Sequence, residues 1–304
     1  MTTVRPGTLD DAAPLLDLRR EVFPWQVNTV AGLRHGWELA ARNAKGALFA
    51  VDDEHGLAGF ARADLNIWTS EAGAASATTI VRPDARGRGI GSALLAAAEA
   101  HLRSVGGRKL VVHAVDEPHT LRFLEKRGFT LTFEVRYQRL LLADLPPTPE
   151  LPAGVTTASM AEVGPEAVFS VDAEAMVDEP SDTPFDKIEY DEWLADVWQD
   201  PNLDKDLSLV VLVDGEPATM TFLSADREGG RFMSTGTGTR RAYRGRGLAK
   251  IAKSVAFRAA RDAGFTTGYT GNDEVNKPML AINEWLGYRA VGAERSAVKQ
   301  LAGG

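Results

Sequence analysis

The sequence contains no cysteine, and that absence excludes several kinds of chemistry. A chain without cysteine has no disulfide framework, no thiolate metal ligand and no cysteine nucleophile. Histidine is scarce as well, with five residues in 304. His113 and His119 lie close together but lack the spacing and the companions of a zinc site. We therefore expect no bound metal.

Long apolar runs are also missing from the chain. Met1–Pro6 contains nothing like a signal peptide, and no later stretch approaches the length of a membrane span. We therefore expect a cytoplasmic protein that contacts no membrane. The formal net charge of −8 argues against a general nucleic-acid binder, which would carry a basic face. It is compatible with a cationic substrate such as an amine.

The chain repeats itself, and its 304 residues are enough for two domains. The segment Val81–Gly91 matches Thr239–Ala249, which lies 158 residues later (239 − 81). The pair Gly128-Phe129 recurs as Gly287-Tyr288 at nearly the same offset. A period this long indicates duplication of a whole domain rather than a solenoid.

The stretch Leu145–Pro152 separates the two copies and contains four prolines in eight residues. Such a stretch cannot continue a helix or a central strand, so it is typical of a stiff, extended linker. We therefore predict an N-terminal domain at residues 1–147 and a C-terminal domain at residues 148–304.

The hydrophobic pattern predicts the same order of elements in both halves. Two helices precede a β-hairpin, and a further strand runs into the repeated arginine-glycine segment. A long helix follows directly, predicted at Ile90–Val105 in the first half and at Leu248–Ala263 in the second. A strand and a short helix come next, and in the first half a final strand at residues 136–142 follows them, so each half is predicted to be a mixed sheet with helices on both faces.

The arginine-glycine segment has the features of a pyrophosphate site. A loop between a strand and a helix N-terminus exposes backbone N–H groups, and the helix dipole there favours an anion. Glycine lets the anion approach the backbone closely, and arginine adds charge-assisted hydrogen bonds to phosphate oxygens. A Walker loop is excluded because no Lys-Ser or Lys-Thr follows the last glycine. A Rossmann fingerprint is disfavoured because the glycine spacing is wrong and the loop follows the fourth predicted strand.

Both segments resemble the coenzyme A-binding motif of the GCN5-related N-acetyltransferases, Arg/Gln-x-x-Gly-x-Gly/Ala. Arg86, Gly89 and Gly91 match it in the first half, and Arg244, Gly247 and Ala249 match it in the second. The resemblance implies acetyl-CoA as the cofactor and an α/β (mixed α+β) fold of two tandem domains. Each domain would be a mixed, largely antiparallel sheet with splayed central strands, flanked by helices. The cofactor-binding residues that it implies at the two strand ends and loops are Val81, Arg82, Arg86, Gly87, Arg88, Gly89, Ile90, Gly91, Thr239, Arg240, Arg244, Gly245, Arg246, Gly247, Leu248 and Ala249.

The two halves differ where the family binds the sulfur end of the cofactor. In the second half, Asn272, Asn276 and Asn283 are expected to line the coenzyme A arm. Asn283 occupies the place of the tyrosine that often acts as the family's general acid, and an asparagine there can donate a hydrogen bond to the thiolate but cannot protonate it. The alternative role of Asn276 is helix capping. The matching places in the first half hold His113, Glu117 and Leu124. This difference favours the second half as the catalytic one, with a degenerate site in the first.

A general base is harder to assign from the sequence. The region that usually borders the acceptor pocket is acidic in the second half, where Glu174 and Asp178 lie four residues apart and share one face of a helix. We predict both as substrate contacts, and Glu174 together with Asn283 as catalytic residues. A solvated surface charge is the alternative for each carboxylate.

The resemblance implies transfer of an acetyl group to a primary amine of a small molecule by direct attack on the thioester. The alternatives are a protein lysine or N-terminal acetyltransferase and a non-catalytic acyl-CoA-binding sensor. We expect a small-molecule amine as the partner, no nucleic acid, and either a monomer or a homodimer.

Overall fold

The computed structural model describes residues 2–179 and 181–301, which form two compact units. The first unit consists of Met1–Glu134, Asp182–Lys187 and Ala293–Gly304. The second unit consists of Val135–Ser181 and Ile188–Gly292.

The first unit contains one sheet, in the strand order β1-β2-β3-β4-β5-β12. All neighbouring strands are antiparallel except β4 and β5, which are parallel. Its strands are β1 (Arg5–Pro6), β2 (Ala47–Asp53), β3 (Gly56–Leu65), β4 (Ala74–Val81), β5 (Lys109–Val115) and the greater part of the C-terminal strand β12 (Arg289–Gln300). Its helices are α1 (Ala12–Val22), α2 (Val30–Asn43), α3 (Ile90–Ser104) and α4 (Pro118–Glu125).

The second unit repeats this plan, in the strand order β6-β11-β10-β9-β8-β7. Its only parallel pair among the described residues is β10 and β11. Its strands are β7 (Val155–Ser159), β8 (Leu209–Val213), β9 (Glu216–Asp226), β10 (Arg231–Thr239), β11 (Thr267–Asp273) and most of β6 (Thr130–Leu141). Its helices are α5 (Met160–Val163), α6 (Pro165–Met176), α7 (Tyr190–Trp193), α8 (Leu248–Asp262) and α9 (Lys277–Leu286), with a π-helical turn at Leu194–Trp198 after α7.

The parallel pair splays apart in both sheets. Strands β4 and β5 are paired only from Ala74 to Ser76, although β4 continues to Val81. Strands β10 and β11 are paired only from Arg231 to Ser234, although β10 continues to Thr239. Each sheet therefore opens beside the end of the strand that leads into the arginine-glycine loop, and the predicted splayed strands are confirmed.

Each unit takes one strand from the other half of the sequence. Strand β5 pairs with Glu294–Gln300 at the C-terminus of the chain. Strand β11 pairs with Val135–Leu141, which precedes the proline-rich stretch. The compact units therefore do not coincide with residues 1–147 and 148–304. The predicted boundary remains a prediction about the repeats in the sequence.

The core of each unit lies between its sheet and its long helix. In the first unit Leu94, Leu102 and Leu110 are fully buried, and in the second Phe232 and Phe257 are. The helical and hairpin predictions agree with the structure apart from their ends. Strand β12 has no counterpart among the predicted elements, and the second of the two helices predicted before the hairpin of the second half is an α-helical turn followed by a π-helical one. In the described part of the chain, no helix is long and apolar enough to cross a membrane.

Candidate active site

A cleft opens at the splayed strands of each unit, with the arginine-glycine loop at its edge. The cleft of the first unit has a volume of about 650 Å³ and that of the second about 620 Å³. Both volumes fall in the range of pockets that bind small molecules. The sequence repeat therefore reappears as two similar sites, one in each unit.

The loop of the second unit is shaped by left-handed glycines. Gly245 has φ 76° and Gly247, the N-cap of α8, has φ 75°. The first helical hydrogen bonds run from the backbone N–H groups of Lys250 and Ile251 to the carbonyl of Gly247. The N–H groups of Leu248 and Ala249 precede these donors, and groups in a first helical turn have no acceptor within the helix.

The loop of the first unit has the same form. Gly87 has φ 78° and Gly89, the N-cap of α3, has φ 86°. A Cβ built on Gly89 or on Gly247 meets no heavy atom within 4 Å, so the space beside both loops is open. A pyrophosphate needs open space beside N–H groups of a first helical turn and beside cationic side chains. Both loops offer this arrangement, so their residues fit the pyrophosphate of coenzyme A.

Most of the predicted cofactor-binding residues line the clefts. Those that do so in the first unit are Val81, Arg86, Gly87, Gly89, Ile90 and Gly91. Those in the second unit are Thr239, Arg244, Gly245, Gly247, Leu248, Ala249, Asn272 and Asn276. The cleft linings do not include Arg82, Arg88, Arg240, Arg246 or Asn283.

The arginines at the two strand ends, Arg82 and Arg240, form hydrogen bonds with residues of their own unit. The backbone N–H of Arg82 donates to the carbonyl of Ala58, and the N–H of Arg240 donates to that of Ala218. The guanidinium of Arg82 pairs with Asp53 at 2.6 Å. A pantetheine contact at Arg82 or Arg240 stays a prediction, but it cannot use these N–H groups while the sheet is intact.

The carboxylates of Glu174 and Asp178 are held by arginines next to the loop. Glu174 accepts from Arg240 Nε at 3.1 Å and from the backbone N–H of Arg241 at 2.7 Å. Asp178 pairs with Arg241 at 2.6 Å and with Arg244 at 2.7 Å. The backbone N–H of Arg241 lowers the pKa of Glu174, and the two arginines lower the pKa of Asp178 to about 2.

These contacts favour a structural role for both carboxylates. A carboxylate with a lowered pKa is a weak proton acceptor near neutral pH. The substrate contacts predicted at Glu174 and Asp178, and the catalytic role predicted for Glu174, remain predictions. Their present contacts order the loop, and Glu174 does not line the cleft.

Asn272 and Asn283 form a hydrogen-bonded cluster with Lys253 and Gln138, two residues that are absent from the sequence-based predictions. Asn283 is fully buried, and its Oδ1 accepts from Lys253 Nζ at 2.8 Å. Its Nδ2 donates to Asn272 Oδ1 at 2.6 Å and to Gln138 Oε1 at 3.2 Å. Both N–H groups of Asn283 are therefore used within the protein. The Oδ1 of Asn276 accepts from Met279 N at 3.3 Å and caps α9.

Lys253 is the unusual member of this cluster. It is 1% exposed but lines the cleft, and burial lowers the pKa of its ammonium group to about 7. Its Nζ lies 5.6 Å from the centre of the Tyr288 ring. The hydroxyl of Tyr288 is buried without a hydrogen-bond partner among the described residues, and burial raises its pKa.

Two carboxyl groups on the wall of the second cleft have raised pKa values. Asp172 is 5% exposed and accepts a hydrogen bond from Trp193 Nε1 at 2.8 Å. Burial raises the pKa of Asp172 to about 7, in spite of that hydrogen bond. Glu179 also lines this cleft, and part of its side chain is exposed. Protein atoms around its carboxyl group desolvate that group and raise its pKa.

The first cleft is apolar at the places that match Lys253 and Asn283. Counting from the first residue of each long helix, Leu95 in α3 matches Lys253 in α8, and both line their clefts. Leu124 matches Asn283 and is buried. His113, at the place of Asn272, has a lowered pKa because it is desolvated, although Glu294 and Asp182 oppose this effect. The two clefts thus differ in charge and polarity at the places of Lys253, Asn272 and Asn283.

The sequence carries a signal for Lys253 as a candidate site residue. Lys253, Phe257 and Ala260 recur at the helical spacing i, i+4 and i+7, on the apolar stripe of α8. A lysine on the buried face of a helix is rare enough to mark a candidate site. Gln138 carries no such signal, because only strand exchange brings β6 beside β11. Among the described residues, no group of three His, Asp or Glu side chains could hold a metal ion.

Known acetyltransferases are similar to this chain in sequence. A family model described as "Acetyltransferase (GNAT) family" matches residues 12–129. A mycothiol acetyltransferase of Acidothermus cellulolyticus is 28% identical over 288 residues, covering 90% of this chain and 84% of that protein. A mycothiol acetyltransferase of a Nocardioides species is 27% identical over 227 residues, covering 70% of this chain and 76% of the relative.

Two solved structures share the fold over almost their whole length. A tandem GNAT protein from the clavulanic acid biosynthesis pathway has a TM-score of 0.75 and 18% identity, covering 99% of both chains. A GCN5-related N-acetyltransferase from Sphaerobacter thermophilus has a TM-score of 0.72 and 20% identity, covering 98% of this chain and 95% of that one. Residues 12–129 thus match the GNAT acetyltransferase family, almost the whole chain shares the fold of a tandem GNAT protein, and the similarity to known acetyltransferases supports acetyl-CoA-dependent N-acetyl transfer.

Proposed function

We propose that the second unit transfers the acetyl group of acetyl-CoA to a primary amine of a small molecule, by direct attack of the amine on the thioester. The observation that carries the proposal is the set of residues that line the second cleft. It combines the arginine-glycine loop with Asn272 and with Asp172 and Lys253, whose pKa values are both about 7. Groups with pKa values near the working pH are the most effective acids and bases. The first unit would hold coenzyme A without using it.

Asp172 is our candidate for the general base. An amine must lose a proton when it attacks a thioester, and a desolvated carboxylate with a raised pKa accepts that proton readily. Glu179 adds negative charge nearby, since it helps to raise the pKa of Asp172. The two carboxyl groups would attract the ammonium form of the acceptor before Asp172 deprotonates it. This role for Asp172 would take the place of the one predicted for Glu174.

The asparagines would orient the acetyl end of the cofactor. Asn283 accepts from Lys253 and donates to Asn272 through its amide, so the amide nitrogen of Asn272 is turned away from that contact. Asn272 lines the cleft and can offer this nitrogen to the thioester. Asn283 would thus support catalysis from behind Asn272 rather than touch the thiolate. The loop residues Arg244–Ala249 would hold the pyrophosphate.

The relatives named mycothiol acetyltransferase make small-molecule amines the first acceptors to test. We also propose that the protein works in the cytoplasm, where its cofactor would be supplied, and that it is a monomer or a homodimer. Sedimentation at several protein concentrations would distinguish those two states.

Mass spectrometry of the protein incubated with acetyl-CoA and a library of amines tests the proposed activity. With at least one small primary amine we expect an acetylated product. It should be heavier than the amine by about 42 mass units, which is the mass of an acetyl group less that of the hydrogen it replaces. Acetylation of peptides alone would instead support a protein acetyltransferase. Binding of acetyl-CoA without any product would support a sensor.

The role of Asp172 is tested by Asp172→Asn, which keeps an acceptor for Trp193 but removes the base. Loss of a general base lowers the rate by about 10²–10⁴-fold, and we expect kcat to fall within that range. Asp191→Asn is the control, because Asp191 is an exposed carboxylate of α7 outside the cleft lining. Equal activity of the two variants would remove Asp172 from the mechanism.

A further inference from the structure

The tyrosine that usually serves the departing thiolate in this family is replaced by Asn283, and Asn283 is fully buried with both N–H groups used. Some other group must therefore meet the negative charge that develops on sulfur. In the second cleft Lys253 is the cation in direct contact with Asn283, at 2.8 Å, and it lines the cleft where Asn283 does not.

We propose that Lys253 is the general acid of the second unit and protonates the departing thiolate of coenzyme A. This inference rests on the proposed function of that unit. As the acceptor nitrogen bonds to the acetyl carbon, the carbon–sulfur bond breaks and its electron pair stays on sulfur. The sulfur takes a proton from Lys253 Nζ. Asp172 takes the proton that the acceptor nitrogen releases and passes it to solvent, and the neutral lysine regains a proton from solvent.

The surroundings of Lys253 keep its charge available for this step. Asn283 Oδ1 and Met279 Sδ, at 3.8 Å, are neutral contacts from α9. Phe257 on the same helix and Tyr288 at the start of β12 present aromatic rings 5.7 and 5.6 Å away. Within the part of the chain that the structure describes, no carboxylate forms an ion pair with Lys253, so a developing thiolate would be its counter-ion.

The ionizable groups across the cleft do not remove that charge. Asp178 is paired with Arg241 and Arg244, and Asp172 is hydrogen-bonded to Trp193. Glu179 has a raised pKa. Burial alone lowers the pKa of Lys253 to about 7, with no contribution from a charged neighbour. An ammonium group with that pKa gives up its proton far more readily than an ordinary lysine does.

The first unit provides an internal comparison. Leu95 occupies the place of Lys253, and Leu124 occupies the place of Asn283. The first cleft retains the loop that fits a pyrophosphate, but it lacks both the cation and the amide that orients it. The two clefts therefore differ at the places that Lys253 and Asn283 occupy in the second unit.

The test compares the wild-type protein with Lys253→Met, a substitution of similar volume without the charge. Lys126→Met is the control, because Lys126 is an exposed lysine of the first unit. We expect kcat of the wild-type protein to fall on the alkaline side, as Lys253 loses its proton. Lys253→Met should lose this alkaline limb and turn over about 10²-fold or more slowly, with the Kd of coenzyme A changed by less than about threefold. Wild-type kcat with an unchanged pH profile in Lys253→Met would overturn the proposal.

A second measurement does not depend on turnover or on the folding of the variant. Thiolate absorbance gives the pKa of the thiol of coenzyme A, both free and bound to the wild-type protein. The thiolate of the bound form would keep Lys253 protonated beside it, so the bound thiol should be more acidic than the free one. A bound thiol no more acidic than the free one would refute the role of Lys253. If the wild-type protein acetylates no amine but shows the acidic thiol, the proposed function fails and the assignment of Lys253 to the sulfur stands.

Discussion

Gly247 allows the coenzyme A loop of the second unit to be tested with a matched control. Gly247 has φ 75°, and alanine pays roughly 1–2 kcal/mol for the left-handed conformation. Restricting the unfolded chain offsets about 0.4–1 kcal/mol of that cost. Because a Cβ at Gly247 meets nothing within 4 Å, no steric clash adds to it. We expect Gly247→Ala to lower the free energy of unfolding by about 1 kcal/mol.

Gly215 in the turn between β8 and β9 provides the control. It has φ 86°, a Cβ there also meets nothing within 4 Å, and it does not line the cleft. Gly215→Ala should therefore lose the same stability without affecting the cofactor. At Gly247, in contrast, the new methyl group occupies the space through which a pyrophosphate approaches the backbone. We expect the KM for acetyl-CoA to rise about tenfold or more in Gly247→Ala alone, which corresponds to about 1.4 kcal/mol.

Urea unfolding gives the stability of both variants, and an acetyl-transfer assay gives the KM for acetyl-CoA. Equal stability losses with a raised KM in Gly247→Ala alone are the expected result. If both variants kept the wild-type KM, the loop of the second unit would not hold the cofactor during turnover. If only Gly247→Ala were destabilised, the strain argument would be at fault instead.

Two further predictions concern stability. The pKa of Lys253 is about 7 in the folded protein against an ordinary 10.5, so between these pH values the unfolded chain binds more protons than the folded one. The free energy of unfolding of the wild-type protein should therefore rise with pH relative to that of Lys253→Met. A difference between the two free energies that stays constant from pH 7 to 10 would contradict the burial of that charge. A chain that ends at Gly292 lacks the residues that pair with β5. In a hydrogen-exchange experiment, the amide hydrogens of Lys109–Val115 should therefore exchange with solvent much faster than in the full chain. Unchanged protection of these amides would show that β5 does not depend on the C-terminal strand.

The sequence was sufficient for the fold of each repeat and for the place of the arginine-glycine loop between a strand and a helix. Both depend on local patterns, since a strand, a glycine-containing turn and an amphipathic helix follow one another directly in Val81–Ser104 and in Thr239–Asp262. The duplication supports the prediction of a pyrophosphate-binding loop, because the same arginine-glycine segment lies between a strand and a helix in both copies. The splayed strands followed from the family resemblance rather than from any pattern in the residues.

Long-range pairing could not be predicted. The sequence shows that a strand precedes the proline-rich stretch, but it does not show that Val135–Leu141 pairs with β11 of the second half. That pairing brings Gln138 to Asn283. The ion pairs of Glu174 and Asp178 likewise depend on how α6 lies against the loop, so spacing along the helix identified the carboxylates but not their partners.

The most direct test of the central claim compares equivalent substitutions in the two loops. One variant combines Arg244→Ala with Gly247→Ala, and the other combines Arg86→Ala with Gly89→Ala. The measured quantity is kcat/KM for acetyl-CoA. Our account predicts that the second-unit variant loses turnover by a much larger factor than the first-unit variant. Loss of turnover in the first-unit variant alone would contradict it.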